Sequence, residues 1–135
     1  MKNIIFIGIQ DKEGLMPLDS LSRTGRIIDK IINELRNYKC HKTNLFEAGF
    51  LPDKKYHTQY IYRYYFENQA VLNTKPIIIC LGELVYNALL GCSYTEEAQD
   101  FIKIKHPSFI MRKGTGAINE YIKSVVDTIK KMNND

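Results

Sequence analysis

A histidine followed by proline and serine closes an alternating apolar and basic segment, and it is the clearest candidate for chemistry in this chain. In "FIKIKHPSFIMRKG" (101–114), His106 stands where a predicted strand ends. Pro107 restricts the preceding backbone to extended geometry and so helps to fix where the imidazole points. The nearby lysines favour the neutral imidazole, which donates to an anion or to a developing negative charge. A lone histidine is more often structural, but this position favours a functional site.

Three further polar residues lie near the ends of other predicted strands. Asn44 carries an amide with one acceptor and two donors, which complements the edge of a pyrimidine imide, although capping a turn is its commoner role. Gln10 and Asp11 follow Gly8, whose missing side chain lets a ligand approach the backbone closely. Gln10 is suited to hold a water molecule and Asp11 to polarise it. Both residues also fit an ordinary polar loop.

The segment after His106 combines an apolar tip with basic flanks. Its candidate DNA-binding residues are Phe109, Ile110, Arg112 and Lys113. An apolar tip between cations is typical of a wedge that nucleotide-flipping proteins push into a base stack. The segment is therefore predicted to be a DNA-facing loop, with Phe109 and Ile110 at its tip and both cations on phosphates. A place in the core is the alternative for Phe109, Ile110 and Met111.

The composition is that of an ordinary globular protein. The chain has 135 residues, of which 44% are hydrophobic and 25% charged. This length suits one domain over residues 1–135. Three cysteines without a CxxC pair argue against a disulfide framework or a structural zinc and fit a reducing cytoplasm. No apolar run is long enough to span a membrane. The net charge of +4 is compatible with DNA as a partner without requiring it.

Strands alternate with helices along the whole chain. Strands are predicted over 3–9, 39–49, 75–82 and 101–105. Helices are predicted from a cap at Ser20 or Ser22 to about Tyr38, over 58–72 and 83–91, and over a final segment that includes 118–129. This alternation predicts a three-layer α/β/α sandwich with a mostly parallel central sheet of about four strands. Ligands bind beyond the carboxyl ends of such strands, so the polar residues above can converge on one cleft.

The ordered set of motifs resembles the uracil-DNA glycosylase superfamily. "IIFIGIQ" (4–10) resembles its first motif, in which a strand ends in Gly and a water-binding residue. "SRTGRIIDKII" (22–32) is similar to the helix start that follows, and "KTNLFEAGFLP" (42–52) to the stretch whose Asn reads uracil. "PIIICLGELVYNALLG" (76–91) looks like the strand–Leu-Gly–helix element, and "HPS" (106–108) like the second catalytic motif.

The resemblance implies a hydrolase that removes a base from DNA. It gives Asn44 the recognition of uracil, and it makes His106 the donor to the base O2 as negative charge develops. Gln10, with Asp11, falls where the hydrolytic water is held. Leu18 or Met16 lies nearest the position of the aromatic residue that stacks on uracil, and neither side chain stacks like a ring. No cofactor or metal is implied, because the branch with an iron–sulfur cluster needs four cysteines.

For DNA binding, the resemblance implies that Ser108 contacts a phosphate and that Phe109 or Ile110 fills the gap left by the flipped nucleotide.

A second hypothesis is a non-catalytic module of the same fold that binds nucleic acid or a nucleotide. Two departures from the family pattern motivate this hypothesis. The stacking aromatic is missing, and "DKEG" (11–14) follows the first motif where the family usually has Pro-Gly or Pro-Tyr. A third is an unrelated small-molecule enzyme or binder on an α/β sheet. The tyrosine-rich segment 56–66 could stack bases beside Arg63, but packing on the sheet is the preferred interpretation and a subunit interface the alternative.

Overall fold

The chain builds a parallel sheet from strands that alternate with helices. The computed structural model describes residues 2–10, 22–46, 69–90 and 100–132. The strands are β1 (Lys2–Gln10), β2 (Tyr38–Phe46), β3 (Ile77–Leu81) and β4 (Asp100–Ile104). The helices are α1 (Arg23–Asn33), α2 (Gln69–Leu72), α3 (Glu83–Leu89), α4 (Ser108–Met111) and α5 (Thr115–Met132).

Within the described residues, the sheet has four parallel strands in the order β2-β1-β3-β4. β1 lies in the centre and pairs with β2 from Lys2 opposite Tyr38 to Gln10 opposite Phe46. β3, with the sequence "IIICL", is buried along its whole length. A continuous apolar run is expected for a parallel strand that is covered on both faces. All four carboxyl ends meet at the same edge of the sheet.

Helices cover both faces of this sheet and give it three layers. One face packs against α1 and α5, and its core includes Ile4, Phe6, Ile28, Ile31, Val126 and Ile129. The other face packs against α2 and α3, and its core includes Ile5, Ile7, Ile78, Leu72, Val85 and Leu89. Successive residues of a strand point to opposite faces, which is why the residues of β1 alternate between the two cores. The predicted α/β/α sandwich with a parallel sheet is confirmed.

Helix α1 begins at the predicted cap but ends earlier than predicted. The Ser22 hydroxyl accepts a hydrogen bond from the backbone N–H of Gly25 at 2.9 Å, as an N-cap does. The prediction that the helix runs to about Tyr38 is wrong, because α1 ends at Asn33 and Tyr38 begins β2. Leu35 continues the apolar spacing and is buried, but it lies in a turn between the two elements.

The other element predictions are confirmed where the residues are described. β1, β3, β4, α3 and α5 lie at the predicted places, and β2 does so as far as Phe46. Of the helix predicted over 58–72, only α2 falls within the described residues, and the tyrosine-rich segment 56–66 and Ser20 lie outside them. No helix in the described part of the chain combines the length and apolar character that a membrane crossing requires.

Candidate active site

The sheet brings the ends of the predicted site strands to one edge. Asn44 of β2 pairs with Gly8 of β1, and Leu81 of β3 pairs with Ile104 of β4. By the alternation of each strand, these four positions face the layer formed by α1 and α5. Gly8 has no side chain, so it leaves space on this face between β2 and β3. His106 follows two residues after Ile104, at the same edge.

Asn44 and His106 come from the two outer strands of the sheet. Three inter-strand spacings of about 4.8 Å separate β2 from β4, so the backbone of Asn44 lies about 14 Å from that of Ile104, and His106 is two residues further along the chain. Gln10 lies between them at the end of β1, where its backbone is opposite Phe46. Side chains from the two outer strands can therefore contact a ligand that lies between them, but they cannot contact each other.

The His106 imidazole is held in one tautomer. The backbone N–H of Ser108 donates to Nδ1 at 3.1 Å, and the Ser108 hydroxyl oxygen lies 2.8 Å from the same nitrogen. Because Nδ1 accepts the backbone hydrogen bond, the proton of the neutral ring must be on Nε2. His106 therefore presents an N–H donor without a positive charge.

Burial keeps this imidazole neutral. Loss of solvent around the ring lowers the pKa of His106 below its usual value of 6.5. The neutral state was predicted, but its cause is different, because desolvation rather than the nearby lysines lowers the pKa. Lys105, the adjacent cation, is exposed, and water screens its charge.

Two residues outside the predicted site set hold the backbone around His106. Gly82 has a φ of +98°, its N–H donates to the Ile104 carbonyl at 2.9 Å, and a Cβ added there would lie 3.7 Å from the Cβ of His106. The Tyr121 hydroxyl donates to the carbonyl of Lys105, the residue before His106. The sequence periodicity marks Tyr121 only as part of the apolar face of α5. Nothing local indicates its contact with a residue 16 positions earlier.

A cleft of about 920 Å³ opens between the β3–α3 turn and the β4–α4 segment, and His106 and Ser108 line it. Its charged lining residues are Lys103, Lys105, Lys113 and Glu83. Glu83 lies 3.5 Å from the Lys103 Nζ, so this pair is close to neutral. Lys105 and Lys113 leave the cleft positive. The cleft therefore suits a ligand that has an anionic part.

Phe109 and Leu84 add an exposed apolar surface to the cleft, with 70% and 37% of their areas in solvent. The exposure of Phe109 is what a wedge requires. Ile110 is only 8% exposed, so its predicted place at the tip is wrong. The predicted loop is also wrong, because Ser108–Met111 forms α4. Pro107 has a φ of −54°, which starts the helical turn, and successive side chains of a helix then point in different directions.

The structure describes the remaining predicted residues to different extents. Arg112 and Lys113 are exposed directly after α4, as phosphate contacts would be. The Ser108 hydroxyl already contacts Nδ1 of His106. To bind a phosphate, the hydroxyl would have to turn its hydrogen away from Nδ1 and toward the phosphate. Asp11 and Leu18 lie outside the described residues, and of Gln10 only the backbone is described.

The described residues contain no group of three or more His, Cys, Asp or Glu that could hold a metal ion. Burial raises the pKa of Cys40 to about 11 and that of Cys80 to about 12. Both thiols therefore stay protonated at neutral pH, a state in which cysteine is neither a nucleophile nor a good metal ligand.

Comparison of the chain with protein-family models, with curated proteins and with solved structures finds no match. Its function must therefore be argued from the chemistry of its own residues.

Proposed function

We propose that this chain is a DNA glycosylase, which hydrolyses the N-glycosidic bond of uracil, or of a related lesion base, flipped out of DNA. The supporting observation is a neutral imidazole with its proton on Nε2, held in a cleft at the carboxyl edge of a parallel sheet. Such a donor stabilises a base that leaves as an anion, because the hydrogen bond strengthens as charge develops. The order of the motifs along the chain adds support.

The proposed reaction displaces the base by water. The bond between the base nitrogen and the sugar C1′ breaks, and its electron pair stays on the base. The water oxygen bonds to C1′ and releases a proton, and the departing base anion takes up a proton from solvent, so the products are a free base and an abasic site. His106 Nε2 donates to the base O2, and Asn44 pairs with the edge of the base. Gln10 and Asp11 hold and polarise the water, and Leu18 contacts the face of the base.

The residues that follow His106 hold the DNA in this proposal. Extruding a base costs a few kcal/mol of stacking and pairing, and the exposed Phe109 ring offsets part of this by filling the vacated space. Arg112 and Lys113 contact phosphates. The Ser108 hydroxyl can also contact a phosphate, because the backbone N–H of Ser108 alone continues to donate to His106 Nδ1. The proposed setting is the cytoplasm, whose reducing conditions suit free thiols such as those described above.

Base release by the purified protein tests the proposal. The substrates are single- and double-stranded DNA that carry uracil, hypoxanthine, xanthine or a thymine mismatch. We expect free base from at least one of them, and we expect His106→Ala to lower the rate by about 100-fold or more.

His41→Ala is the matched control for this experiment. The pKa of His41 is also lowered by burial, but its Nε2 lies 3.1 Å from Asn3 Oδ1, away from the cleft. Its removal should leave the rate of base release unchanged. Absence of free base from every substrate would contradict the proposal.

A second candidate is a module of the same fold that binds nucleic acid or a nucleotide without cleaving it. It is favoured by Leu18, which stands where the resemblance implies a stacking aromatic. An inactive protein whose DNA affinity falls steeply with salt would support this candidate. Tight binding of a free nucleoside without affinity for DNA would instead indicate a small-molecule binder.

A further inference from the structure

The Tyr121 hydroxyl makes a contact at the edge of the site to which neither the sequence motifs nor the proposed reaction assigns a role. It donates to the carbonyl of Lys105, the residue before His106. Burial raises the pKa of Tyr121 far above its usual value, so the phenol remains a protonated donor at any ordinary pH. Lys105 lies just beyond the end of β4 at Ile104, so this contact continues the hydrogen bonding of the strand where the sheet ladder stops.

Tyr121 belongs to a helix that is fixed to the sheet. Its neighbours one and two turns along α5, Val125, Val126 and Ile129, are buried in the core shared with the central strands. The ring of Tyr121 packs against the same core. The position of its hydroxyl is therefore set by a packed helix of 18 residues.

We propose that Tyr121 is a positioning residue that keeps the His106 imidazole in its donor tautomer. This inference rests on the function proposed above. The Tyr121 hydroxyl fixes the Lys105 carbonyl, and Gly82 lies close to the histidine, since a Cβ added to it would be 3.7 Å from the His106 Cβ. Together these contacts hold the ring where the Ser108 N–H reaches Nδ1.

Loss of the hydroxyl would free the peptide unit between Lys105 and His106 to reorient about the ψ of Lys105 and the φ of His106. The Ser108 N–H would then meet Nδ1 for only part of the time, and the proton would exchange between Nδ1 and Nε2. A hydrogen bond that served only to attach α5 to the sheet would behave differently, because its loss would lower stability and leave the tautomer of His106 unchanged.

Nitrogen-15 NMR of the imidazole rings distinguishes these two roles. Tyr121→Phe removes the hydroxyl and keeps the ring. In the wild type, His106 should show one nitrogen without a proton and one with a proton, whereas in Tyr121→Phe the two shifts should approach each other. A His106→Asn variant assigns the signals among the three histidines of the chain. In parallel, we expect the single-turnover rate of base release to fall by about tenfold, with DNA affinity changed by less than about twofold.

Tyr86→Phe is the matched control. It also removes one tyrosine hydroxyl beside β4, but its ring stacks on Phe101 at 4.8 Å, on the opposite face of the sheet. It should leave the His106 signals and the rate unchanged. A His106 spectrum in Tyr121→Phe that matches the wild type would overturn the inference. If the wild type releases no base, the proposed function fails, while the NMR comparison still decides the role of Tyr121.

Discussion

At the scale of single residues, a neutral imidazole can serve an anionic leaving group only if its proton is on the nitrogen that faces the ligand. The Ser108 N–H meets this requirement for His106 by occupying Nδ1, and burial disfavours the competing charged form. A charged ring would have protons on both nitrogens, and its Nδ1–H would oppose the Ser108 N–H. The local backbone therefore selects both the charge state and the tautomer.

This arrangement predicts the pH dependence of base release. In the proposed reaction the neutral ring is the active form, and burial places the pKa of His106 below 6.5. The rate should therefore rise with pH through a midpoint below 6.5 and then remain level. Single-turnover rates between about pH 5 and about pH 9 measure this. His106→Asn should abolish the inflection, whereas a rate that falls as pH rises through this range would mean that the imidazolium is active.

Residue types indicated the candidate site residues, but not Tyr121 and Gly82, which hold the backbone around His106. His106 and Asn44 could be chosen because a proline follows one and both lie near the carboxyl ends of predicted strands, and the sheet places them at the same edge. Tyr121 could not be chosen, because a hydroxyl contact between a helix and a strand end depends on how the two pack. The place of Ile110 was missed because two adjacent apolar residues look alike until a helical turn separates them.

At the scale of elements, the four-residue helix α4 divides its side chains between solvent and core. The carbonyls of His106 and Pro107 accept hydrogen bonds from the N–H groups of Phe109, Ile110 and Met111, which closes one turn. Ile110 then points inward and Phe109 outward. A helix of four residues is too short to show a helical spacing of apolar residues in the sequence. β3 could be predicted from its continuous apolar run, and α5 from the apolar spacing along its 18 residues.

Alanine at these two positions should have opposite effects. Phe109→Ala should change the free energy of unfolding by less than about 0.5 kcal/mol, since the ring is exposed, whereas Ile110→Ala should lower it by about 2 kcal/mol or more. Urea unfolding measures both. Phe109→Ala should also slow base release from duplex more than from single strands, since only a duplex has a stack to hold open. Equal losses on both substrates would argue against a wedge.

At the scale of the whole molecule, the placement of charge matters more than the net charge of +4. The cleft lining has three lysines and one glutamate, and Arg112 lies beside it. On the surface of α5 that carries Lys123 and Lys131, the lysines alternate instead with Glu120 and Asp127. A polyanion should therefore bind along the carboxyl edge of the sheet and not along α5.

The salt dependence of DNA binding tests this placement. Replacing Arg112 and Lys113 by alanine should weaken binding to all sequences alike. It should also reduce the slope of log affinity against log salt by about one for each phosphate that no longer meets a cation. Replacing Lys123 and Lys131 of α5 removes the same charge and should leave the slope unchanged. Equal effects of the two double variants would show that binding responds only to net charge.

The central position of β1 has a consequence for the nascent chain on the ribosome. β1 pairs with β2 on one side, but its partner on the other side, β3, ends only at Leu81. At roughly 5–20 residues per second, about 2–7 s pass between translation of the end of β2 and the end of β3. During that interval β1 has an open apolar edge that can pair with another chain. Ribosomes that pause there would expose the strand for longer, and chaperones that bind extended apolar segments would have their best opportunity at that point.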